Sequence, residues 1–133
     1  MRNKKLYVVD TAFLSNRPNV FSADNIGWRL ENVIFVELIH RAGKRYADVF
    51  YYRDRSLELD FIVAKGGVVE DLYQVCYDMT NEKTRKREIA GIVQGAKKFH
   101  CRNLTIITFS QQETIHIEEY TIQVIPAATW LTR

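Results

Sequence analysis

Leu57-Glu-Leu-Asp-Phe-Ile-Val-Ala-Lys-Gly-Gly-Val-Val-Glu-Asp-Leu-Tyr-Gln-Val-Cys76 is the stretch on which the fold turns. Leu57–Ala64 alternates well enough for a half-buried strand, and Gly66-Gly67 marks a hairpin. Val68–Tyr77 supplies the next strand, interrupted by the polar pair Glu70-Asp71. Just upstream, Val49-Phe-Tyr-Tyr52 is aromatic and β-prone, and Arg53–Ser56 is a polar turn. Strands this closely spaced are antiparallel neighbours, since a parallel pair needs a crossover of about a dozen residues.

Toward the N-terminus, Leu30, Val33, Ile34, Glu37, Leu38 and Arg41 recur at steps of three and four, which predicts a helix over Trp28–Arg41. Gly43 is a natural stop just past its end. Ser15–Asn25 reads as an irregular loop, and Leu6-Tyr-Val-Val9 as a short β-prone run. Toward the C-terminus, a second helix begins near Asn81, with Ile89, Ile92, Val93, Ala96 and Phe99 on its apolar face. Leu104–Phe109 is an apolar strand of the kind buried on both faces. Thr114–Ile117 and Tyr120–Ile125 suggest further strands, before Pro126 and a short segment with Trp130-Leu131. The 133 residues accommodate a single domain. The order is helix, three-strand meander, helix, strand: an α/β fold with a mixed sheet, an antiparallel meander and flanking helices.

The net charge of +3 permits an anionic partner without requiring one. Its distribution is more informative. Lys83, Arg85, Lys86, Arg87, Lys97, Lys98 and Arg102 stand against Glu88, while Asp54, Glu58, Asp60, Glu70 and Asp71 stand against Arg55 and Lys65. An acidic sheet edge beside a basic helix suits cations next to a polyanion, although such faces are also the ordinary dress of solvated surfaces. Cys76 and Cys101 do not make a disulfide framework, the apolar run at Leu6–Val9 is too short for a signal segment, and no stretch is long enough to span a bilayer. These features predict a soluble, cytoplasmic protein.

Several signatures are absent. There is no P-loop and no glycine fingerprint between a strand and a helix. Cys76, His100 and Cys101 lack zinc spacing, and neither cysteine sits in a nucleophile motif. What remains is oxygen chemistry: Glu31 on the first helix, Asp60 in the second strand of the meander, and Gln74 in the third, one strand spacing from Asp60. Asp60, Gln74 and a backbone carbonyl are suitable donors for a hard divalent cation.

Arg29-Leu-Glu-Asn32, Glu58-Leu-Asp-Phe-Ile62 and Leu72-Tyr-Gln-Val-Cys76, in this order of elements, resemble the PD-(D/E)XK restriction-endonuclease-like superfamily with its αβββαβ core. The chain looks most like the nuclease-like domain of unknown function at the C-terminus of bacterial and archaeal AAA-type ATPases, from Tyr7-Val-Val-Asp10 through Arg87-Glu88 to Val124-Ile-Pro126 and Trp130-Leu131. The resemblance implies that Asp60 is the central metal ligand, that Glu31 supports the metal or its water, and that Gln74 fills the place of the second acid. It implies Mg²⁺ or Mn²⁺ as cofactor, DNA or another nucleic acid as partner, and an ATPase domain on the same longer chain. Cys76 departs from the pattern, which has a lysine there to orient water and offset charge on the phosphate. Lys83, Arg85, Lys86 and Arg87 would bind nucleic acid, and Lys83, Arg85 or Arg87 is better placed than Lys65 to replace the missing charge.

Two functions are expected on these grounds. One is a nuclease-like domain with a degenerate metal site. The other is a non-catalytic docking or regulatory module of the ATPase. Dimerisation through Phe50-Tyr-Tyr52 is a weaker reading, because aromatic residues at those positions are better explained by core packing.

Overall fold

The computed structural model describes residues 6–8 and 25–133, with side chains from residue 29 onward. The expected loop at Ser15–Asn25 lies outside the described residues except at Asn25, which opens the first helix. Among the described residues, seven strands form one mixed sheet: β1 (Leu6–Val8), β2 (Asp48–Arg53), β3 (Glu58–Lys65), β4 (Val68–Val75), β5 (Leu104–Thr108), β6 (Glu113–Ile117) and β7 (Tyr120–Pro126). Their spatial order is β1-β2-β3-β4-β5-β7-β6. The β2-β3-β4 meander is antiparallel, as its short connections require. Helix α2 (Glu82–Phe99) carries the chain from β4 to β5, which lies parallel to both β4 and β7.

Each face of the sheet has its own core. Helices α1 (Asn25–Lys44) and α3 (Ala127–Leu131) cover one face, where Ile34, Phe35 and Leu38 meet Val49, Phe61, Val63, Ile107 and Trp130. Helix α2 covers the other, setting Ile92, Val93 and Ala96 against Leu59, Ile62, Leu72, Ile106 and Ile122. Burial from both sides explains why Leu104–Thr108 reads as an almost continuous apolar run. The aromatic residues of β2 serve packing: Tyr52 is buried and meets Phe99 edge-on at 5.2 Å. Among the described residues, no helix is long and apolar enough to cross a membrane.

Local chemistry sets the turns. Gly66 and Gly67 have φ of +59° and +80°, the double left-handed turn that a two-residue hairpin needs, and Lys65 pairs with Val68 across it. Asn81 caps α2, its side chain accepting the N–H of Thr84 at 3.0 Å. The end of α1 differs from expectation. Gly43 stays helical, and Tyr46 adopts the left-handed conformation instead, at φ 59°. The N–H of Ala47 donates to Ala42 O at 2.9 Å and that of Tyr46 to Gly43 O at 3.2 Å, a Schellman closure. Burying Ala47 beside Ala42 decides the stop, not the position of the glycine.

Candidate functional site

The two central strands of the meander come apart where the candidate residues lie. The β3–β4 ladder runs from the hairpin to Phe61–Tyr73. On the other side of β3, Phe50 pairs with Ile62 and Tyr52 with Leu59, so Asp60 and Phe61 together oppose Tyr51. Such a bulge re-aims side chains and interrupts pairing. Beyond Phe61, side chains stand in for the ladder. The N–H of Asp60 donates to Gln74 Oε1 at 2.9 Å, and the N–H of Val75 donates to Asp60 Oδ2 at 2.8 Å. Gln74 Nε2 reaches Glu58 O at 3.4 Å.

A cleft of about 800 Å³ opens over this splayed region. Glu31 enters it from α1, Glu58 and Asp60 from β3, Gln74 from β4, and Arg87, Glu88, Gly91 and Gln94 from α2. Glu31 and Gln74 are buried, at 8% and 5% exposure. The three residues chosen from the sequence are therefore brought to one place by three elements. Gly91 lets α2 come close: a Cβ there would stand 3.2 Å from Gln74 Nε2. Gly95, one turn on, makes room for Leu59.

Glu88 is the residue that sequence reasoning missed. Its side chain is only 15% exposed, and burial, followed by the charge of Asp60, raises its pKa to about 7 against the pull of Arg87. Arg87 Nη2 lies 3.6 Å from Glu88 Oε2. In sequence Glu88 looks like a lone acid in a basic run. The available signal was its place one turn before Gly91 and two before Gly95, the strip of α2 that approaches the sheet most closely.

Cys76 lies at the edge of the site, within the α2-side core, and donates from Sγ to Asp78 O at 3.4 Å. Burial, with the negative charge of Glu88, pushes its thiol to about 11, so it is neutral near pH 7. It supplies no cation. The basic residues expected to meet nucleic acid divide into three groups. Arg85 is committed to Glu113, with Nη2 at 2.9 Å from Oε1. Arg87 lines the cleft. Lys83 and Lys86 are exposed on the same side of α2 as Arg87. Further along, Lys97 pairs with Glu118 at 2.9 Å and Arg102 with Glu119 at 2.7 Å, so much of the basic run is balanced by the β6–β7 hairpin.

The divalent cation implied by the resemblance finds suitable donor chemistry here but not a suitable arrangement. Among the described residues, no group of three or more His, Cys, Asp and Glu side chains is placed to hold a metal ion. Gln74 Oε1 and Asp60 Oδ2 already accept backbone N–H groups. Cys76, His100 and Cys101 form no such group either.

No protein-family model matches the chain, and no solved structure matches it. An uncharacterized protein of Methanocaldococcus jannaschii is 34% identical over 132 residues, which cover 95% of this chain and 29% of that protein. The chain thus spans less than a third of the relative's length.

Proposed function

We propose that this chain is a nuclease-like domain with a degenerate metal site, which keeps the cleft for a phosphodiester backbone and has lost most of the chemistry. One observation carries the reading: Glu31, Asp60 and Gln74, supplied by a helix and two strands, line one cleft at the point where those strands separate. The structural alternative for Asp60 and Gln74, simple bridging of a splayed ladder, accounts for their hydrogen bonds but not for Glu31 and Glu88 facing the same space. Where the resemblance implies a lysine stands a neutral buried thiol, and loss of such a charge stabiliser costs on the order of a hundredfold or more in rate. The acidic lining explains why a polyanion would need cationic help to enter: four carboxyl groups face one guanidinium.

The partner in this reading is DNA or another nucleic acid, with an ATPase domain on a longer chain. The excess length of the archaeal relative beyond the matched 29% leaves room for such a domain there. The alternative is a docking or regulatory module without nucleic acid, favoured by the pairing of Arg85, Lys97 and Arg102 with acids of this same chain.

Nicking of supercoiled plasmid at low salt, in Mg²⁺ and in Mn²⁺, tests the reading. The wild-type chain is expected to be silent. The double variant Gln74→Glu/Cys76→Lys is expected to nick, and adding Asp60→Ala should abolish that gain. Wild-type cleavage lost with Asp60→Ala would show a working nuclease. Silence of the folded double variant would favour the docking module. Gln74→Glu alone guards against misfolding from a lysine placed at the 9%-exposed position 76.

A further inference from the structure

The expected strand Leu104–Phe109 stops one residue early, at Thr108, and Phe109 leaves the sheet as a 57%-exposed residue. The ring is not loose. It stacks on Tyr77 with centroids 4.9 Å apart and planes 18° from parallel. The backbone beneath both rings continues the parallel ladder: the N–H of Cys76 donates to Ile107 O at 2.9 Å and that of Phe109 to Tyr77 O at 3.1 Å. Thr108, fully buried, donates from Oγ1 to Gln111 O at 2.7 Å, and Gln111 Oε1 accepts the N–H of Met79 at 3.1 Å. An aromatic face is thus presented to solvent on a rigid mount, at the carboxyl ends of two parallel strands, where α/β sheets place their ligands.

Position and charge say what would cover it. Tyr77 follows Gln74 on the same chain segment by three residues, about 10 Å at the rise of a strand. The segment from Tyr77 leads directly into the first turn of α2, whose exposed stripe carries Lys83, Lys86 and Arg87 and then becomes the wall of the cleft at Ala90 and Gln94. Of the acids nearby, Asp78 is held by Thr80 and approached by Gln111, while Glu82 lies in the helix's first turn. An open aromatic face on a segment that runs straight into a helical turn bearing exposed ammonium groups suits single-stranded nucleic acid, since every base offers a π-face and every linkage a negative charge.

We propose that Phe109, backed by Tyr77, is a stacking platform for an unpaired nucleobase, with Lys83 and Lys86 holding the flanking phosphates, so that the strand entering the cleft is single. This rests on the nuclease-like reading of the cleft and names its ligand class. The test is fluorescence anisotropy at low salt in EDTA, with labelled oligothymidylate, an abasic strand of the same length, and a duplex. The wild-type chain should prefer oligothymidylate. Phe109→Ala should weaken that binding by about 5- to 150-fold while leaving the abasic strand unaffected. Phe109→Leu, which keeps the apolar bulk, should show the same selective loss. Lys83→Ala and Lys86→Ala should weaken both strands alike and flatten the salt dependence. Equal affinity for the abasic strand, tighter binding of the duplex, unchanged binding by folded Phe109→Ala, or no binding of any strand would overturn the platform. Phe109→Ala placed in the Gln74→Glu/Cys76→Lys background separates the two readings: nicking there, with no stacking preference in the wild type, would sink the platform and leave the cleft.

Discussion

A carboxyl group withdrawn from water into a cleft already lined by carboxylates holds its proton more tightly, and Glu88 does so near pH 7. Its folded pKa is raised above the ordinary value of 4.5, so its contribution to stability is complete below about pH 4.5 and is lost as pH rises through about 7. The span corresponds to about 3 kcal/mol at most, less whatever relief water gives a side chain that keeps 15% exposure. Glu88→Gln cannot ionise. It should be more stable than wild type by about 1–3 kcal/mol at alkaline pH and no different in mild acid, as read by urea denaturation at the two pH values. An equal difference at both would remove the electrostatic explanation. His100 offers a second test. It closes α2 in the left-handed conformation at φ 54°, a region that costs a residue with a Cβ more than it costs glycine. His100→Gly should raise the stability by about 0.5–1 kcal/mol, seen as a higher thermal midpoint. Glu31, Asp60 and Gln74 were readable as candidates because the family resemblance of their motifs singled them out among otherwise ordinary acidic and polar positions. Glu88 was not, because its depth depends on how closely α2 approaches the sheet.

Helix α2 is pressed onto the sheet through its glycines, which makes the element sensitive where its sequence looks permissive. A Cβ at Gly95 would fall 2.7 Å from Leu59 Cδ1, in a core where Leu59 has no exposure. Gly95→Ala should therefore cost about 1–3 kcal/mol by overpacking, although alanine is the better helix former. Gly43, inside the last turn of α1 with nothing within 4 Å, gives the opposite result: Gly43→Ala should add up to about 1 kcal/mol. Chemical denaturation of both variants checks the pair, and a stabilised Gly95→Ala would refute the close approach. The strands of the meander, the Gly66-Gly67 turn and the start of α2 near Asn81 arise from local chemistry and were legible. The bulge at Asp60-Phe61 was not. It arises from the pairing of β2 with β3 and lets Leu59 and Ile62 join the α2-side core while Phe61 joins the other.

For the molecule as a whole, the two apolar cores flank one sheet, whereas the cleft lies at the edge of the α2-side core. Ligands that bind the folded state raise the melting temperature by mass action. Since no three acidic, imidazole or thiol groups among the described residues stand close enough together to hold a metal ion, the wild-type midpoint should be the same in EDTA and in millimolar Mg²⁺, while Gln74→Glu/Cys76→Lys should gain stability with the metal. Differential scanning fluorimetry reads both, and a large wild-type shift would show a site that closes around the ion. The basic run between Lys83 and Arg102 is also recast at this scale. The sequence shows its charge but not that Arg85, Lys97 and Arg102 meet Glu113, Glu118 and Glu119, residues that only the folding of β6 and β7 alongside β5 brings near. By itself, then, the sequence determined the α/β class, the antiparallel meander and the helix boundaries to within a few residues, because periodicity, turn residues and spacing act over short stretches of chain, while the resemblance of its motifs singled out the candidates Glu31, Asp60 and Gln74. Only the tertiary structure decided that these candidates share a cleft with Glu88, that Cys76 is a buried neutral thiol, and that Phe109 stands exposed on Tyr77. Each of those depends on how elements far apart in the chain approach one another, and no local pattern encodes that distance.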